Sequence, residues 1–157
     1  MATRSAIGIK FGPVVKAVYC HWDGYPEHNG EILKKYYSDS VKLSALIAQG
    51  DLSSLGAEIG TKHDFDQKSE YVDWPEAKVA CAKECTFYKR DRGEQNIDFR
   101  TFAHNVDLFE HYNEIGVEFI YVYAEGQWYI TDTYTGKPEW KLLDDVLKSI
   151  SKETDEV

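Results

Sequence analysis

Val117-Glu-Phe-Ile-Tyr-Val-Tyr-Ala-Glu-Gly-Gln-Trp-Tyr-Ile-Thr-Asp-Thr133 reads as two strands, residues 117–123 and 127–133, joined through Ala124-Glu-Gly126. Both halves are rich in β-branched and aromatic side chains, which fit the pleated surface of a sheet, and Gly126 supplies a tight turn. The stretch therefore predicts a β-hairpin at or near the middle of a sheet, and the remaining segments arrange themselves around it.

On its C-terminal side, Leu143, Val146, Leu147 and Ile150 fall on one face of a helix expected over 138–151, with Pro138 in its first turn and a frayed acidic tail over 152–157. On its N-terminal side, Phe102, Val106 and Phe109, widened by Leu108 and Tyr112, predict an amphipathic helix over 102–114 ended by Gly116. Further back, residues 90–96 read as a loop and 79–89 as a strand, while the pattern fails over 61–76, the expected mobile loop. Leu52, Leu55 and Ile59 suit a single docked turn. Leu43, Leu46 and Ile47 form the stripe of a helix capped near Ser38-Asp39-Ser40 and stopped by Gly50, and a shorter helix occupies about 30–37. At the start of the chain, Ile7 and Ile9 alternate before the turn signal Phe11-Gly12-Pro13 and the apolar run from Val14 to Cys20, a second hairpin. The expected architecture is α+β in one domain over 1–151: an antiparallel sheet from two hairpins plus an intervening strand, helices packed mainly on one side.

With 27 acidic against 18 basic residues the net charge is −9, which repels nucleic-acid backbones and acidic membranes and argues against nonspecific binding to either. Neither a run of about 20 apolar residues nor a charged, apolar, cleavable leader is present, and three cysteines are an odd number. The expected setting is the cytoplasm. No Walker loop, G-x-G-x-x-G, H-E-x-x-H or G-x-S-x-G occurs, so no named enzyme class gains support.

Chemistry-bearing side chains concentrate in two places. From Val18 to Gly30, an apolar strand runs into a loop holding His21, Trp22, Asp23, Tyr25, Glu27 and His28. Strand alternation puts Tyr19, His21 and Asp23 on one face and Val18, Cys20 and Trp22 on the other, which separates Cys20 from His21 and removes that pair as a nucleophile and base. His21 and Asp23 can face one ion, but no third ligand is identifiable, so no metal or other cofactor is expected. Cys81 and Cys85 lack the spacing and the second pair of a zinc site and are read as core residues. The second place is Arg90-Asp-Arg-Gly-Glu94, where Arg90, Arg92 and Glu94 flank a glycine; two guanidinium groups there suit a phosphate or carboxylate, or else pair with neighbouring acids. The candidate ligand-binding set is thus His21, Trp22, Asp23, Tyr25, Arg90, Arg92 and Glu94.

At Arg4-Ser-Ala-Ile-Gly8, Tyr19-Cys-His-Trp-Asp-Gly-Tyr-Pro26, Asp51-Leu-Ser-Ser-Leu-Gly56 and Arg90-Asp-Arg-Gly-Glu94 the chain resembles a family of small proteins encoded by bacteriophages and prophages. The resemblance is tightest before residue 60. It implies phage-derived DNA as the origin and the host cytoplasm as the setting rather than a mechanism. Glu27-His-Asn-Gly30 stands where relatives are expected to carry Glu-Gly-Val-Gly, which sets His28 aside from a shared role. Together with the acidic surface and the lack of a catalytic motif, the resemblance leads to a binding protein, a host-takeover or counter-defence factor that blocks a host protein or sequesters a small nucleotide-like ligand. The competing expectations are a small hydrolase or transferase acting on a phosphorylated metabolite or nucleotide, with Arg90 and Arg92 on the phosphate and His21 and Asp23 as acid and base, and a virion or assembly component. Self-association as a homodimer is left open by the sequence.

Overall fold

The structure, a computed structural model, describes residues 2–60 and 84–155. In chain order the described strands are β1 (Ser5–Phe11), β2 (Val14–Cys20), β3 (Leu52–Ser54), β4 (Thr86–Phe87), β5 (Arg100–Phe102), β6 (Phe119–Ala124), β7 (Gln127–Asp132) and β8 (Lys141–Leu142). The described helices are α1 (Glu31–Tyr36), α2 (Ser40–Ala48), α3 (Tyr88–Arg92), α4 (Asn105–Glu114) and α5 (Leu143–Asp155), with a π-helical turn over Pro26–Gly30 leading into α1. One sheet runs in the order β4-β3-β2-β1-β6-β7-β8, and β5 pairs with the first half of β2 on the edge that β3 meets at Cys20. The fold is α+β.

Both expected hairpins form. Ala124 pairs with Gln127, so the loop of the second hairpin is Glu125-Gly126, both residues with positive φ, the type I′ geometry that matches strand twist. The sheet is nevertheless mixed rather than antiparallel throughout, because β1 and β6 run parallel from Ser5 opposite Phe119 to Ile9 opposite Tyr123. Alternation within a strand fixes which side chains share a face but not the direction of a neighbour reached by a long connection. The chain between β2 and β6 is long enough to return it to the end of the sheet where β1 begins.

Alternation along β1 and β2 splits the core. Ile7, Ile9, Val18 and Cys20 face a cluster completed by Tyr121, Trp128 and Ile130, which α1, α2 and α5 cover with Leu33, Leu43, Leu46, Ile47, Leu143 and Leu147. On the opposite face, Ala6, Val15, Ala17, Ile120 and Val122 meet Leu108, Phe109 and Tyr112 of α4. Helices thus cover both faces, three on one and α4 on the other.

Several local elements differ from expectation. Residues 52–54 are a strand instead of part of a docked turn, since Leu52 aligns with Cys20 on one side and Phe87 on the other. Residues 88–92 coil into α3 where the sequence predicts the end of a strand up to 89 and a loop from 90, and β5 precedes α4, whose first residue is Asn105. Pro138 lies outside α5, which begins at Leu143 after β8 and runs on through residues expected to fray, to Asp155. By contrast, Asp39 caps α2 by accepting from the Val41 N–H, and Gly50 (φ 87) ends that stretch as the sequence predicts. The expected irregular segment 61–76 and the N-terminal part of the 79–89 strand lie outside the described residues.

Candidate functional site

β2 carries the Val18–Gly30 motif to the end of the sheet where β2 stops at Cys20. Past Cys20, the His21 N–H donates to Leu52 O and the Trp22 N–H to Ser53 O, so the strand direction persists for two residues before Asp23 (φ 57) turns the chain. Asn29, fully buried, organises the loop: its amide nitrogen lies 3.3 Å from Ser5 Oγ, 3.5 Å from Cys20 Sγ and 3.3 Å from Trp22 O, while its oxygen accepts from His28 Nδ1 at 2.8 Å. Gly24 donates to Thr3 O, and Tyr121 Oη reaches Gly24 O at 2.6 Å. Much of the motif's polarity therefore holds the loop against β1 and β6.

Its candidate residues go to different places. His21 Nδ1 meets Tyr19 Oη at 2.8 Å on the α4 face of the sheet, and burial followed by the Arg4 charge lowers the imidazole pKa, favouring the neutral ring. Asp23 instead lies beside Tyr25, where its charge and hydrogen bond raise the phenol pKa. Trp22 is exposed and contacts the His21 ring edge-on. Cys20 has its thiol pushed up to about 12 by burial and is no nucleophile at neutral pH.

The Arg90–Glu94 motif closes a corner of the fold. Arg90 spends all five N–H groups on protein acceptors: the Asp91 carboxylate from Nε at 3.0 Å and Nη2 at 3.2 Å, Cys85 O from Nη2 at 3.0 Å, and Ile59 O and Gly60 O from Nη1 at 2.9 and 3.2 Å. Asp91, buried, also accepts the Phe87 N–H at 2.8 Å and so caps the start of α3. Arg92 and Glu94 form an exposed pair at 3.7 Å, with the Arg92 guanidinium above the Tyr88 ring.

Asp51 links Tyr19 of the first motif to Tyr88, two residues before the second. Tyr19 N–H donates to Asp51 Oδ1 at 2.9 Å, and Tyr88 N–H donates to Asp51 O at 3.3 Å, which places Tyr19, Asp51 and Tyr88 side by side across three strand ends. On the α4 side of this row opens a cleft of about 240 Å³ lined by Arg4, Tyr19, Asp51, Arg100, His111, Tyr112 and Ile115. β1 is entered from Arg4, β5 begins with Arg100, the second half of α4 supplies His111 and Tyr112, and Ile115 follows its last turn.

The cleft brings two guanidinium groups together with one carboxylate. Among the described residues, the guanidinium groups of Arg4 and Arg100 have no hydrogen bond or ion pair. Burial raises the Asp51 carboxyl to about 6, against the partial relief given by the Tyr19 N–H and the Arg100 charge. Burial and Arg100 lower the His111 pKa, and burial raises that of Tyr19 despite the Arg4 charge. Sequence reasoning passed over Arg4, Asp51, Arg100 and His111. Arg4 and Asp51 sit in the resemblance motifs, whereas Arg100 and His111 enter only through the pairing of β5 with β2 and the placement of α4.

Among the described residues no group of three or more His, Cys, Asp or Glu side chains is arranged to hold a metal ion, and no helix is long and apolar enough to cross a membrane. No protein-family model, curated protein or solved structure matches the chain.

Proposed function

We propose that this chain is a phage-derived accessory protein that works by binding, and that it holds a small phosphorylated, nucleotide-like anion in the cleft between Arg4 and Arg100. One observation carries the reading. Two guanidinium groups line one cleft with no acceptor among the described residues, while Arg90 is fully engaged within the fold. Forked N–H donors match phosphate oxygens in pairs, and the aromatic walls of Tyr19 and Tyr112 keep bulk water from part of the site. Asp51 opposes an anion when ionised and donates to one when protonated, so for a ligand of fixed charge its titration through about 6 favours binding at the lower pH. Sequestration of such a ligand is the host-takeover or counter-defence role that the phage resemblance implies.

Thermal denaturation and calorimetric titration with inorganic phosphate, pyrophosphate, AMP and ADP test the proposal. A ligand at a hundredfold excess over its Kd raises Tm by roughly 5–10 °C. Arg4→Ala and Arg100→Ala, both at exposed positions, each weaken that binding at least tenfold. Absence of binding by all four compounds sinks the reading.

A second reading, a hydrolase or transferase acting on a phosphorylated metabolite, is favoured by the presence of Asp51 and His111 in the same cleft, burial raising the carboxyl pKa to about 6 and lowering that of the imidazole. Turnover of p-nitrophenyl phosphate or a nucleotide that disappears in Asp51→Asn and His111→Ala would select it over sequestration.

A further inference from the structure

A second cavity, of about 370 Å³, opens at the other end of α4. Its apolar floor is Val122 and Ala124 of β6, its aromatic walls are Tyr129 of β7 and Trp140 of the segment before β8, and Lys10, Gly12, Glu125 and Asn105 complete the lining. Asn105 is the first residue of α4, whereas Tyr112 and Ile115 of the arginine cleft lie near its other end, roughly 10–15 Å away along the helix axis. The cavity is a separate site.

Three observations identify what it would take. Its volume lies within the range of small-molecule sites, which combine mostly apolar and aromatic linings with a few placed polar groups. The Asn105 side-chain oxygen is buried with no hydrogen-bond partner in the structure, a condition that costs free energy unless a guest supplies the missing group. An amide carries an acceptor and a donor side by side, which is the complement of the edge of a nucleobase. Finally, the Lys10 ammonium makes no hydrogen bond or ion pair among the described residues, leaving a cation beside the aromatic walls.

We propose that this cavity binds a nucleobase: the ring lies against Trp140 and Tyr129, its polar edge pairs with the Asn105 amide, and the sugar and any phosphate lead out past Lys10. Aromatic contact gives affinity for any base, because every base has a π-face, and the amide discriminates among them. The site does not depend on the arginine cleft, and a phosphate-free probe separates the two.

The test is saturation-transfer NMR and calorimetric titration of the whole chain with adenosine, guanosine, cytidine and uridine. At least one nucleoside binds, with saturation passing to its base protons. Trp140→Ala and Asn105→Leu each weaken it tenfold or more, while Arg4→Ala and Arg100→Ala leave it unchanged. The corresponding 5′-monophosphate binds more tightly than the nucleoside to an Arg4→Ala/Arg100→Ala background, and Lys10→Ala removes that difference. Far-ultraviolet circular dichroism confirms the fold of each variant, and if Asn105→Leu disturbs α4, the partly exposed Trp140 carries the test alone. Failure of all four nucleosides to bind at millimolar concentration overturns the proposal, as does binding that is indifferent to Trp140→Ala.

Discussion

The Asp51 carboxylate accepts the Tyr19 backbone N–H at 2.9 Å, so a titratable group stands in for a ladder partner where β2 meets β3. Burial raises its pKa from 3.8 to about 6. In the unfolded chain the carboxyl releases its proton at the lower value, so the folded state holds a proton that the unfolded state lacks between the two. The contribution is fully present below pH 3.8, declines as pH rises to about 6 and is level above. At about 1.4 kcal/mol per pKa unit its ceiling is roughly 3 kcal/mol. Asp51→Asn keeps an acceptor for Tyr19 and removes the buried charge. Urea denaturation should show the variant more stable than the parent at pH 8, by about 1–3 kcal/mol, and nearly equal to it at pH 4. The same variant should bind phosphate at pH 8 at least as tightly as the parent does at pH 5.

Arg90 and Asp91 give the opposite expectation. Here both charges are removed from solvent and fully bonded, and the guanidinium ties the Ile59–Gly60 segment to α3. Arg90→Ala strands a buried carboxylate and three backbone carbonyls, a loss of about 3–5 kcal/mol. Arg90→Lys recovers little, because one ammonium cannot reproduce a five-donor fork. Denaturant midpoints measure both. Phosphate affinity of the folded fraction should stay unchanged, which separates a structural arginine from the two in the cleft.

That contrast marks what the sequence made legible. The hairpin at 117–133 and the stripe Leu43, Leu46, Ile47 declare themselves because their periods are local and bury one face. The cleft does not, since Arg4, Asp51, Arg100 and His111 come together only after β1 pairs with β2, β5 joins the edge of β2 and α4 crosses the second face. Arg90-Asp-Arg-Gly-Glu94 reads as a ligand-binding loop because clustered guanidinium groups look the same in a sequence whether their acceptors are a ligand or the protein's own carbonyls. The parallel seam between β1 and β6 is hidden for a related reason: strand direction across a long connection leaves no local trace.

Gly24 and Asn29 hold the Val18–Gly30 loop in complementary ways. A Cβ on Gly24 would lie 2.7 Å from Ser5 Cβ and 2.9 Å from Thr3 O, so the turn can close against β1 only without one. Gly24→Ala should cost about 1–3 kcal/mol through this overlap. Asn29→Ala removes the partner of Ser5 Oγ, Cys20 Sγ and Trp22 O in a fully buried setting and should cost about 2–3 kcal/mol. Thermal melts measure each loss. Hydrogen exchange at His21 and Trp22, whose N–H groups bond to β3, should quicken in both variants before the hairpin at 117–133 is affected.

Glu125 offers a gain instead. It occupies the first central position of the β6–β7 turn with φ 51, a left-handed conformation that places its Cβ against backbone, and its side chain has no ion pair among the described residues. Asparagine enters this region more readily and is favoured, followed by glycine, in such turns. Glu125→Asn should therefore stabilise the protein by up to about 1 kcal/mol, read as a rise in Tm of roughly 2–4 °C. Because Glu125 also borders the cavity of Trp140 and Asn105, the exchange removes a carboxylate from beside the path past Lys10. A nucleoside monophosphate should then bind more tightly to the variant while the nucleoside itself is held as before. A stabilised protein with an unchanged ratio of the two affinities would mean that the phosphate does not leave by Lys10.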